Sequence, residues 1–287
     1  MNTNTKAIYE LCRVIKEQQE LLRLALWVMS QGPTVFRGQE IKCVLKWDQV
    51  RAASATCLGA GQSLNTILKS SEERGIPVRD LYPVARSVVE GFINAAFFIT
   101  QPVDIAQRAL KHKDYAAWRH TNRVVGTGKF TFSLSSCSDP QEAAARLFPE
   151  FSGKGRGSWS TLDAPSKIDR IGRSVQSSGG ALLGAYGLIY AISSEIIHGS
   201  VYGMSYFMSA HNPGDMTVEG FQNGTESQVV TILTAVSHAA SGFLSAFWQL
   251  HQCRPAIDAE RSLFERILKA VQCGDVAPAA PSPEDGA

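Results

Sequence analysis

The sequence predicts an all-α protein: a single multi-helix bundle interrupted by a long Gly/Ser-rich insertion. Three observations carry this. Apolar residues recur at close to a 3.6-residue period through most of the 287-residue chain. Gly-Pro and Gly-x-Pro breaks punctuate those runs. No long alternation of apolar and polar residues, the mark of a half-buried strand, is visible. Apolar residues make up 44% of the chain and charged residues 19%, enough for a packed core and incompatible with disorder over most of the length. The 28 Lys and Arg nearly balance 26 Asp and Glu. That excludes a nucleic-acid coat protein or a polybasic membrane binder as a property of the whole chain, and leaves only a local patch.

The first helix spans Lys6 to Met29, with Ile8, Leu11, Cys12, Ile15, Leu22, Leu26 and Met29 on its apolar side. Gly32-Pro33 stops it. The second runs from about Gln39 to Glu73 on Ile41, Val44, Leu45, Leu64, Ile67 and Leu68, weakened in its middle by Gly59 and Gly61. Gly75-Ile76-Pro77 ends it. A third helix covers Asp80 to Thr100, with Pro83 tolerable only in the first turn. After Pro102 a more polar fourth helix runs from Val103 to Val125.

The region at about 126–162 changes character, collecting Gly, Ser, Pro and short basic runs around a helical piece at Pro140 to Leu147. It reads as an insertion, with room for short strands. Helical pattern resumes over Ala164 to Gln176 and Gly180 to Ser209, followed by a turn at His211 to Asp215. The last core helices are Thr225 to Gln252 and Pro255 to Gln272. The bundle domain thus covers 1–273, and the Pro/Ala-rich tail 274–287 is expected to be disordered.

The N-terminus has no apolar core of the kind a secretory signal requires. Six scattered cysteines, without a Cys-x-x-Cys pair, read as reduced thiols of a cytoplasmic protein and give zinc no support. Two stretches, Gly179 to Ser209 and Val229 to Leu250, reach the roughly 20 residues needed to cross a bilayer. They carry Glu195, His198, His238 and Gln249, and no clear Lys/Arg cluster flanks them. They read as central helices of a bundle, and a membrane is not an expected partner.

Motifs for familiar chemistry fail. Gly126-Thr127-Gly128-Lys129 resembles the end of a phosphate loop, but Arg123 stands where the first glycine belongs and Phe130 where the magnesium-binding hydroxyl belongs. No nucleophile elbow occurs. A carboxylate-bridged di-metal centre needs two Glu-x-x-His pairs, and Glu195-Ile196-Ile197-His198 is the single one in the chain. No metal or cofactor is implied.

The helix carrying that pair has a feature of its own. Tyr186, Tyr190, Ser194, His198, Tyr202 and Tyr206 follow at intervals of four, forming a ridge of neighbours. Tyr190, Ser194, His198 and Tyr202 are the candidate ligand-binding residues, as donors and acceptors along a slot. The structural alternative is tyrosines that pack between helices, each hydroxyl on a backbone partner. On the third helix Arg86 and Glu90 stand four apart in an apolar run. A buried charge left alone costs several kcal/mol, so Arg86 is expected to meet Glu90 or Glu195, with His198 nearby. As a clamp this fixes helix register. As a site, Arg86, Glu90, Glu195 and His198 supply a guanidinium, carboxylates and an imidazole, and are the candidates for any catalysis.

Arg86-Ser-Val-Val-Glu90, the Trp159 segment GSWSTLDAPSKIDRIG and Tyr190-Ala-Ile-Ser-Ser-Glu-Ile-Ile-His198-Gly-Ser200 together resemble a bacterial all-helical family of unknown function. The resemblance covers about Asp80 to Ser209. That family is distantly similar to HEPN helical domains, many of them metal-independent ribonucleases or nucleotide-binding modules of defence systems. The resemblance implies a role in defence or stress, with RNA or a nucleotide as ligand, although the net charge gives nucleic acid no support; a homo-oligomer is a separate expectation. The HEPN nuclease pattern is an Arg followed, after four to six residues, by a His on the same helix. Here Ser193, Ile192 and Ala191 occupy the corresponding places before His198, so Arg86 would have to supply the guanidinium from another helix.

Overall fold

A computed structural model describes residues 2–71, 78–152, 157–209 and 217–272, apart from the side chains of 207–209 and 221. The loop glycines from 153, the turn after Ser209, the Gly75–Pro77 break and the tail lie outside these residues. The described chain is helical, with two short hairpins. Helix α1 (Thr3–Gln31) is capped by Asn2, whose side chain accepts from Thr5 N at 2.8 Å, and ends at Gly32 with φ +90°.

A hairpin follows where the sequence pattern points to the start of a helix. Strands β1 (Thr34–Phe36) and β2 (Gln39–Ile41) pair antiparallel. Arg37 and Gly38 fill the two-residue turn, both with positive φ, which suits the twist of the strands. The apolar pattern of Ile41, Val44 and Leu45 belongs to a strand and its exit. Helix α2 (Trp47–Ser71) therefore begins well after Gln39 and runs unbroken through Gly59 and Gly61. It lies close against α3 (Val78–Thr100), where a Cβ on Gly91 would come 2.9 Å from the Ala60 Cβ. Pro83 sits inside α3 beyond its first turn, against expectation. Burial of the surrounding Leu81, Tyr82 and Ala85 holds the helix where propensity alone would not.

Helix α4 (Val103–Thr121) stops short of Val125. Its expected apolar end becomes strand β3 (Arg123–Thr127), paired with β4 (Phe130–Leu134) inside the insertion. Gly128, φ +57°, makes the turn. Asn122 fixes the base: its Nδ2 donates to Trp118 O at 3.1 Å, and its Oδ1 accepts from Ser136 N and Oγ at 3.0 and 2.8 Å. Helix α5 (Pro140–Leu147) completes the insertion. Helices α6 (Ala164–Ser174) and α7 (Gln176–Ile197) cross at a pair of glycines, Gly172 and Gly179.

The stretch read as one helix over Gly180 to Ser209 is two. Gly199 takes φ +65° and breaks it, and α8 (Val201–Ser209) starts afresh. Helix α9 (Val218–Leu250) is the axis of the bundle, packed against α1, α3, α7 and α10 (Arg254–Gln272). From Gln228 to Trp248 every residue except Thr231 and His238 is buried. Both α7 and α9 are long and apolar enough to span a bilayer, but 89% of the apolar window of α9 lies inside the protein against 33% for α7.

Helix α1 closes on the far end of the chain. Arg266 of α10 donates to Glu10 at 2.7 Å and to Glu17 at 2.8 Å. Buried Gln18 donates to Ser237 O and Ser241 Oγ of α9 at 3.0 and 2.9 Å. No disulfide joins the described cysteines.

Candidate functional site

Arg86, Glu90 and Asn94 recur every fourth residue on α3, so they form one stripe on a helix that is otherwise apolar. Arg86 Nε donates to Glu90 Oε1 at 2.8 Å. The guanidinium lies over the Tyr190 ring of α7, 4.2 Å from its centroid. One turn earlier Tyr186 stacks on Tyr190, centroids 4.5 Å apart. The Arg86 side chain keeps 20% of its surface exposed and Glu90 43%, so the pair is open to solvent along one edge.

Helix α6 closes a third side. Asp163 caps it, accepting from Ser166 N at 2.9 Å, and hydrogen bonding to Ser166 holds its carboxyl below the ordinary range. One turn on, Lys167 Nζ donates to Asn94 Oδ1 at 3.0 Å and stands 4.1 Å from the centre of the Trp159 ring. Trp159 is itself laid against Phe97 and Phe98 of α3, with centroids 6.3 and 4.9 Å away. Burial pulls the Lys167 ammonium down to about 8, while Glu90 and Asp163 pull the other way. Burial, and then the neighbouring Tyr190, raises the Tyr186 phenol.

The α3–α6–α7 seam thus holds two cations, each on the face of an aromatic ring. Arg86 is answered by Glu90. Among the described residues Lys167 has an amide and a ring as its contacts, and no carboxylate within ion-pairing distance. Chemically the seam can take an anionic group: it offers unused ammonium and guanidinium donors beside two phenols.

The seam unites Arg86, Glu90 and Tyr190, and Arg86 meets the first of its two expected partners. Ser194 follows Tyr190 one turn along α7 and is half-buried. The ridge then breaks. Glu195 accepts a hydrogen bond from the Ser200 hydroxyl instead of facing Arg86. Ser200 Oγ also accepts from Gly203 N at 3.0 Å, capping α8. Gly199 N donates to Ile196 O and Ser200 N to Glu195 O, both at 3.1 Å, the pattern of a left-handed helix stop. A Cβ on Gly203 would lie 2.8 Å from the Glu195 carbonyl carbon, so α8 folds tightly over the end of α7. Most of Ser-Glu-Ile-Ile-His-Gly-Ser is therefore a kink.

His198 is the exception. It is exposed at the kink, and its side chain makes no hydrogen bond or ion pair among the described residues. Two helical turns, roughly 12 Å, separate its level from Tyr190. Tyr202, on α8 beyond the kink, is also exposed. Among the described residues no three His, Cys, Asp or Glu side chains gather around a common point.

Lys167, Asn94 and Trp159 complete the seam and are absent from the residues that the sequence singles out as a site. Asn94 is legible as the third member of the Arg86–Glu90 stripe. Lys167 lies in the quoted Trp159 segment, four residues after Asp163, but nothing in that spacing shows that α6 turns it toward α3.

The model of a family of unknown function, DUF5677, matches residues 55–216, more than half of the chain and all of the seam. No curated protein and no solved structure matches.

Proposed function

The chain belongs to the DUF5677 family of unknown function, and on that premise we propose that it is a cytoplasmic binding protein. Its ligand carries an anionic group that docks on Lys167 and Arg86 in the α3–α6–α7 seam. The carrying observation is Lys167: a half-buried ammonium, oriented by Asn94 and Trp159, on which Glu90 and Asp163 act only from beyond ion-pairing distance. Keeping a cation there costs stability, since burial holds its pKa near 8. An incoming anion offsets that cost and favours the protonated amine.

Sulfate serves as a probe whose charge is constant across the range in which Lys167 titrates. Millimolar sulfate is expected to raise the melting temperature of the wild type below about pH 8, and progressively less above it, as Lys167 deprotonates. Lys167→Met removes that response. The variant itself should be more stable than wild type at pH 7, by about 1 kcal/mol after discounting for solvent screening, roughly 2–4 °C. The sign follows from linkage: the folded pKa is depressed, so the penalty is complete below about 8 and vanishes above the ordinary value of 10.5. Equal sulfate responses in wild type and Lys167→Met overturn the reading.

A second reading draws on His198, whose backbone caps α7 while its side chain is exposed and makes no hydrogen bond or ion pair among the described residues. It makes the protein a metal-independent ribonuclease of HEPN type, with His198 moving the proton and a guanidinium other than Arg86, which is held by Glu90 and Tyr190, binding the phosphate. Mixed RNA incubated with the wild type in chelator should then be cleaved, and His198→Ala should abolish cleavage. Intact RNA with the wild type rejects this reading and leaves the seam untouched.

A further inference from the structure

The β3–β4 hairpin has a property that a two-stranded sheet does not sustain alone. Its register pairs Arg123 with Leu134, Val125 with Phe132 and Thr127 with Phe130. Residues directly opposite share a face, so Val125, Phe130, Phe132 and Leu134 line one side of the ribbon. None is covered: Phe130 is 82% exposed, Phe132 58%, Val125 57% and Leu134 44%. The opposite side carries Val124 with Ser133, and Gly126 with Thr131. The ribbon is amphipathic, and its apolar side faces solvent.

The hairpin's own charge is equally one-sided, although Asp139 at the start of α5 shares a cleft with Arg119 and Arg123. Between Asp114 and Asp139 there is no carboxylate, while Arg119, Arg123 and Lys129 are all exposed cations. Lys129 is at the turn and Arg123 at the base, so positive charge brackets the apolar row at both ends. Asn122 staples that base to α4 and Ser136, which fixes how the hairpin leaves the bundle.

We propose that this face docks on an anionic lipid bilayer, independently of any ligand in the seam. The apolar row enters the boundary between headgroups and acyl chains, and Arg123 and Lys129 reach the lipid phosphates beside it. Charge complementarity selects an anionic surface. Half of the row, Val125 and Leu134, offers neither a stacking plane nor a hydrogen bond to a base, which favours lipid over a nucleic acid that Phe130 and Phe132 alone would stack on. This is a lateral contact of about 17 Å of ribbon, different from the spanning helices that the sequence argues against.

The test is co-sedimentation of the full chain with phosphatidylcholine vesicles and with mixed phosphatidylcholine–phosphatidylserine vesicles. Binding is expected only to the mixed vesicles and should weaken as salt rises. Phe130→Ser with Phe132→Ser should weaken partitioning at least about tenfold. Lys129→Glu, at an exposed turn, should weaken it on the order of tenfold. Both variants should melt with the wild type, since the altered side chains are exposed. No binding to mixed vesicles, or equal binding to neutral ones, overturns the proposal. So does concentration-dependent dimerisation that the double Phe variant abolishes, because the face is then covered by a second copy. Binding of single-stranded RNA with the same dependence on Phe130 and Phe132 overturns it in favour of nucleic acid.

Discussion

Gly179→Val is expected to lower the melting temperature by roughly 5–10 °C, the largest loss from a single added side chain on the site-bearing helices. A Cβ built on Gly179 lies 2.6 Å from Gly172 Cα and 3.1 Å from Gly172 N. Both obstacles are backbone, so no rotamer change relieves them. Helix α6 must move away from α7, and the buried Ile168 and Ile171 lose packing with it. Lys167 rides on the same helix and should be withdrawn from Asn94, so the sulfate response weakens too. Gly180→Val next door is the control, with nothing within 4 Å of its added Cβ. Thermal melts of both variants, with and without sulfate, check this. A melting temperature for Gly179→Val equal to that of Gly180→Val would mean that α6 does not rest on α7 here.

Glu260→Gln should do the reverse and stabilise the protein above pH 7. Glu260 is buried on α10, and burial pushes its carboxyl from the ordinary value of 4.5 up to about 7, against weaker opposing pulls from Ser241 and Arg261. Because the folded pKa is raised, the native state binds the proton more tightly than the unfolded chain. Wild-type stability therefore falls as pH rises from 4.5 to 7, and the loss is complete above 7. The amide variant has no charge to bury. Its advantage should be absent below about pH 4.5 and reach roughly 2–3 kcal/mol at pH 8. Urea unfolding across that range reads the difference directly, and a difference that does not vary with pH would refute the assignment to Glu260.

The fold class is legible because helical periodicity is a strong, local signal, and the long helices α1, α3 and α9 follow it closely. What escapes it is short and glycine-dependent. Thr34–Phe36 and Gln39–Ile41 are three residues each, too few for alternation to register, and their turn depends on Arg37 accepting a positive φ. The apolar pair Val124-Val125 reads as the end of α4, although Gly126 and Gly128 just beyond it already mark a turn. The break at Gly199 disappears in a periodicity count because Tyr186 to Tyr206 keep step across it. In the site, Arg86 and Glu90 are visible because charge is conspicuous in an apolar helix. Lys167 is not, since α6 carries many charges and its packing on α3 and α7, through Ile168, Ile171 and the Gly172–Gly179 crossing, is what turns this one into the seam.

Helix α1 rests on α9 and α10, which lie at the other end of the chain, as the bonds from Gln18 to Ser237 and from Arg266 to Glu10 record. During synthesis α1 can cover only its α2-facing side early, and the side that meets α9 and α10 stays uncovered until those helices are made. At typical elongation rates that interval is on the order of ten seconds or more. The part of the core that α1, α9 and α10 share therefore closes only once α10 has been made.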